Sequence, residues 1–161
     1  MKRWRNFLLQ ESIGDYSIDG MVRLYHYSKA AVDSIELDPE RFLTDRGHYS
    51  RNDYQASDLP RVFFYVDLDH AERLIAQGSE LFSTQVPAKS IYDLTVDPLG
   101  LIEKSKPAPY VAPNVDYILR ALSSGELPPP ADTYKGAYYK TGGMDVVVWF
   151  EPIQVEKFSI G

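Results

Sequence analysis

The chain has 161 residues, 44% of them hydrophobic and 25% charged, which is enough for one domain with a packed core and too balanced for a disordered or fibrous chain. It has no cysteine, so disulfides, thiolate metal sites and cysteine nucleophiles are excluded, and no apolar run reaches the ~20 residues that span a bilayer. Lys and Arg number 17 against 23 Asp and Glu, and the resulting net charge of −6 argues against a dedicated nucleic-acid binder, which needs a basic face to release counterions.

The first residues, MKRWRNFLLQE, are basic and then apolar, but the apolar stretch is only Phe7, Leu8 and Leu9, too short for the core of a signal peptide. Residues 12–20 are rich in Asp, Ser and Gly and read as a linker, which divides the chain into a segment 1–20 and a single domain 21–161. Residues 21–27 alternate as a strand, with Leu24, His26 and Ser28 on one side and Arg23, Tyr25 and Tyr27 on the other. Ser28 is placed to cap a helix over 29–35. Residues 37–60 are polar and irregular and carry Arg41, Arg46, His48, Tyr49, Arg51 and Tyr54, and long loops of this kind are often functional.

Residues 61–66, RVFFYV, predict a strand, after which Asp67 or Asp69 caps a helix through 77 with Ala71, Leu74 and Ile75 as its apolar stripe. Strands follow over 81–86 and 91–94, separated by Pro87, and 98–113 reads as loop. Asn114 caps a helix whose Val115, Ile118, Leu119 and Leu122 share a face and which Gly125 ends. After three prolines at 128–130 come a short strand over 134–139, a turn at 140–143, the nearly all-apolar 145–150 (DVVVWF), expected to be buried on both faces, and a last strand over 155–160. Strands outnumber helices, which predicts an α+β fold with helices packed on a mixed sheet.

The three histidines, His26, His48 and His70, have no metal-ligand spacing, so no metal site is expected. There is no nucleophile elbow and no P-loop. Asp145 opens the most apolar strand, where it either accepts turn hydrogen bonds or aims an anion into a cleft.

In order along the chain stand a strand with an inward His, a strand ending in Tyr that leads into a helix, and an acid opening a Val-rich strand. This layout resembles the ADP-ribosyltransferase fold of the His-Tyr-acid type. Leu24-Tyr25-His26-Tyr27-Ser28 matches the first motif, Phe63-Phe64-Tyr65-Val66 with Asp69-His70-Ala71 the second, and Asp145-Val146-Val147-Val148-Trp149 with Gln154 and Phe158 the third. Two departures stand out: Tyr27 occupies a position that is usually Gly, and Asp145 one that is usually Glu.

The resemblance implies a mainly antiparallel split sheet with two or three packed helices, and NAD as substrate. It implies that His26, Tyr65 and Asp145 are catalytic. His26 would bind a ribose hydroxyl and Tyr65 would stack on nicotinamide. Asp145 would stabilise the cation formed as nicotinamide leaves or orient the acceptor. Tyr27 and Ser28 would lie beside the cofactor, and Arg41, Arg46 and Arg51 would pair with its pyrophosphate. The acceptor of ADP-ribose would be a host protein or nucleic acid, the acidic charge disfavouring the latter.

The N-terminal segment resembles the capsid-targeting tails of T-even-like tailed phages, which are cut after a Leu-x-Glu sequence, here Leu9-Gln10-Glu11. That implies packaging in a phage head, action in the host cytoplasm and no membrane. Two alternatives stand beside transfer: a non-catalytic phage protein that keeps the fold as a virion component or as a binder of a host factor or nucleotide, and RNA 2′-phosphotransfer, which the low pI disfavours.

Overall fold

In the computed structural model the described residues are 12–44, 60–73, 79–105, 115–125, 127, 129, 131–141 and 144–159. They form an α+β fold built on one nine-stranded sheet. The strands are β1 (Ser17–Ile18), β2 (Met21–Ser28), β3 (Ser34–Leu37), β4 (Val62–Tyr65), β5 (Glu80–Pro87), β6 (Ile91–Asp93), β7 (Gly136–Thr141), β8 (Met144–Trp149) and β9 (Ile153–Lys157). The helices are α1 (Pro39–Thr44), α2 (Leu68–Arg73), α3 (Leu101–Ser105) and α4 (Val115–Ser123). Spatial order is β3-β9-β5-β2-β4-β8-β7-β6, with β1 paired to β2. Every pairing is antiparallel except β6 with β7.

Strand alternation divides the apolar residues between two faces. Val22 and Leu24 of β2, Val62 and Phe64 of β4, and Val147 and Trp149 of β8 join Ile13 and Tyr138 in one core. On the opposite face, Val146, Val148 and Ala137 pack with Tyr92 and with Ile118, Leu119 and Leu122 of α4. A smaller cluster on that second face gathers Tyr25, Leu81 and Ala71 of α2, with Tyr27, Tyr65 and Phe158 against it. Val146, Val147, Val148 and Trp149 are all buried, as expected for a strand covered on both sides.

The sheet is nearly parted at one seam. β2 pairs with β5 from Met21↔Pro87 through Ser28↔Glu80 and β4 with β8 from Val62↔Trp149 through Tyr65↔Val146, but β2 and β4 share only Tyr25↔Tyr65.

Three expectations are corrected. Residues 29–35 are not helical. Ser28 Oγ accepts from Ala30 N at 3.1 Å, which closes a turn, and β3 follows because Ile35 and Leu37 alternate with Ser34 and Glu36 and pair with β9. The expected loop over 98–113 contains α3, whose first N–H groups at Leu101 (2.8 Å) and Ile102 (3.0 Å) donate to the Asp97 carboxylate. The stretch 12–20, read as a linker, is part of the fold. Ile13 is buried, its N–H donates to Asp93 at 2.9 Å, and β1 adds to β2.

Of the helix expected through 77, α2 is its described part, and Asp67 begins it by accepting from the Asp69 N–H at 2.9 Å. Asn114, proposed as the cap of α4, lies outside the described residues.

Candidate functional site

His26 lies near the end of β2, where β2 and β4 separate. Its Nδ1 is 2.8 Å from the carbonyl oxygen of Phe63. A carbonyl can only accept, so Nδ1 carries the hydrogen, and the other ring nitrogen is the acceptor when the imidazole is neutral. The ring spans the seam to β4 where ladder bonds between the two strands end. It is tilted against Phe64, with centroids 5.6 Å apart, and only 9% of the residue is exposed. Burial pushes its pKa below the ordinary value, and the bond to Phe63 opposes part of that shift. A neutral ring suits a group that accepts from a sugar hydroxyl.

Tyr65 ends β4 and is the register partner of Tyr25. Its ring and that of Tyr27 have centroids 5.9 Å apart and planes at 52°. Both rings are half-buried, and burial raises the Tyr65 phenol above its ordinary value, so the hydroxyl stays protonated. The two aromatics stand beside the seam on the second face, under α2, an apolar setting for a planar ring.

Asp145 begins the buried run of β8 but faces the other way. Tyr65 pairs with Val146, so alternation puts Asp145 on the face of Val147 and Trp149. There its carboxylate accepts from the Tyr16 hydroxyl and lies 3.6 Å from Lys140 Nζ. Tyr16 in turn meets Tyr138 edge-on at 6.2 Å. The structure therefore divides the candidates between two faces: Tyr27 and Tyr65 stand on one side of the seam, and His26 on the other, the face it shares with Asp145. By strand spacing Asp145 is roughly 12 Å from His26, across two strands and along two residues. The β8 residue on the Tyr65 side is Val146.

Of the remaining expected ligands, Ser28 ends β2 and uses its hydroxyl in the local turn. Arg41 is exposed on α1, which follows edge strand β3, three strands from β2. Arg46 and Arg51 lie outside the described residues. Among the described residues no cluster of His, Asp and Glu is arranged to hold a metal, and no helix is long and apolar enough to cross a membrane.

The sequence reading gave Arg23, Tyr16 and Lys140 no role at a site, and named Phe158 only as part of the third motif. Arg23 and Phe158 stand on the second face beside Tyr25, with the guanidinium carbon 5.7 Å from the Phe158 ring centroid and that ring edge-on to Tyr25 at 5.4 Å. The signal for Arg23 was the two-residue period it shares with Tyr25 and Tyr27. Tyr16 and Lys140 were missed as the partners of Asp145; Lys140 is its register partner across the β7–β8 hairpin. Compared with known protein families, with curated proteins and with solved structures, the chain matches none.

Proposed function

We propose that this protein binds NAD at the seam between β2 and β4, on an ADP-ribosyltransferase-like fold. The observation that carries the reading is the pair of half-buried Tyr27 and Tyr65 rings, 5.9 Å apart where β2 and β4 part, with the neutral, carbonyl-anchored His26 crossing the same seam from the other face. On this reading the two tyrosines hold the nicotinamide ring and His26 accepts from a ribose hydroxyl. The activity expected of such a complex is transfer of ADP-ribose to a host protein or nucleic acid after the nicotinamide–ribose bond breaks. Nicotinamide leaves as a neutral molecule, so the chemistry needs orientation and an anion near the developing cation more than a strong acid.

A second reading, binding without transfer, is favoured by one specific observation. Asp145 is on the opposite face from Tyr65 and is held by Tyr16 and Lys140. With its acid held there, the arrangement supports a nucleotide binder over an efficient transferase.

Calorimetric titration of the full chain with NAD tests the common part. NAD binds, and Tyr65→Ala weakens it by about tenfold, the worth of one aromatic contact. Failure of the folded protein to bind NAD overturns the proposal. Nicotinamide release in a host lysate then separates the two readings: release that Asp145→Ala abolishes supports transfer, and binding with no release supports the non-catalytic protein.

A further inference from the structure

Ser83, Tyr25 and Tyr65 form one row across β5, β2 and β4, because Tyr25 pairs with Ser83 on one side and Tyr65 on the other. Arg23 stands on the same face two residues earlier. Its register partner is Gln85, yet its Nη1 leans along the sheet to donate to Ser83 Oγ at 3.0 Å. The guanidinium thus sits at the Ser83–Tyr25 row, flanked by Phe158, whose ring faces it at 5.7 Å.

Arg23 is half-buried and has no carboxylate partner among the described residues. The acid placed nearest by register is Glu156, the partner of Ser83 across β9; it is exposed and makes no ion pair with Arg23. A guanidinium carries five N–H donors, and Ser83 takes one. A partly desolvated cation whose donors are mostly uncommitted, beside a buried hydroxyl, is matched to an oxyanion that accepts two hydrogen bonds at once. Two strand spacings, about 10 Å, separate Ser83 from Tyr65, a distance that a ribose and its 5′ carbon bridge between a ring and a phosphate.

We propose that Arg23 and Ser83 bind the pyrophosphate of a nucleoside diphosphate, the task first expected of Arg41, Arg46 and Arg51. The identity of the ring held beside it rests on the NAD reading above; the phosphate subsite does not.

The experiment titrates the full chain with ADP, NAD and nicotinamide. Wild type binds ADP. Arg23→Met, which keeps the stem against Phe158, weakens ADP and NAD at least ~10-fold, the range of a charge-assisted pair. Arg23→Lys falls between, and Ser83→Ala loses a few-fold. ADP binding that depends on Arg23 in a protein that fails to bind NAD sinks the NAD reading and leaves this one standing. NAD and ADP affinities within twofold of wild type in Arg23→Met sink this one alone, and so does a folded wild type that binds no ADP. A second measurement needs no variant: saturating ADP protects Arg23 from phenylglyoxal, and an unchanged modification rate overturns the assignment.

Discussion

His26 decides most at the scale of single residues, because two demands on it conflict. Its Nδ1–H holds the Phe63 carbonyl across the seam, and its burial disfavours the charged ring. The folded chain therefore resists a proton that the unfolded chain takes up near the ordinary histidine value of about 6.5. Stability from this group is full above that pH and falls as the pH drops below it toward the depressed folded value. A urea midpoint that declines between pH 7 and pH 5 in wild type should be nearly flat in His26→Asn, whose amide keeps the donor to Phe63 but does not titrate. Parallel declines in both proteins would assign the effect to other groups. Truncation to Ala, which removes donor and ring together, should cost about 2–3 kcal/mol. Period-two alternation was enough to place His26, Tyr25 and Tyr27 on a strand. It could not place Asp145 relative to Tyr65, because facing across strands depends on register, and register is set by partners distant in the chain.

Among elements, β7 and β8 show how closely backbones approach when one residue lacks a side chain. A Cβ built on Gly136 would lie 2.5 Å from the Val148 carbonyl oxygen and 2.7 Å from Cε3 of the Trp149 ring. The carbonyl belongs to a strand bonded on both sides and has nowhere to go. Gly136→Ala should therefore destabilise by roughly 1–3 kcal/mol through overpacking, read as a lower denaturant midpoint at unchanged slope. An unchanged midpoint would show that the strands can separate. Alternation in β2 and β5 and continuous apolar runs in β4 and β8 made these strands readable from the sequence. The short elements were not. β3 has four residues, and Ala30, Ala31 and Val32 ahead of it, after a plausible helix cap at Ser28, read as the start of a helix. For α3 the capping group is Asp97, held at a φ of 52°, just ahead of the stretch 98–113 that read as loop. Residues 12–20 looked like a linker because their composition is polar, yet one apolar side chain, Ile13, and one phenol, Tyr16, tie them to the sheet.

For the whole molecule, α+β class and a single sheet were legible from the ratio of strands to helices, whereas the seam at Tyr25↔Tyr65 was not, since it is a property of how two strands diverge. The same limit hid the Arg23–Ser83 pair, whose members are 60 residues apart in the chain. The one parallel pairing has a kinetic consequence. β7 and β8 are separated by only two residues along the chain, while β6 reaches β7 only across residues 94–135. Closing a long loop loses more chain entropy than closing a hairpin, so the hairpin should nucleate and β6 should dock after the rate-limiting step. Ile91→Val would then accelerate unfolding and leave refolding almost untouched, while Val147→Ala would slow refolding. Equal slowing of refolding by both would contradict this order. If it holds, the outermost strand is the last part of the sheet to be secured and the first to be released.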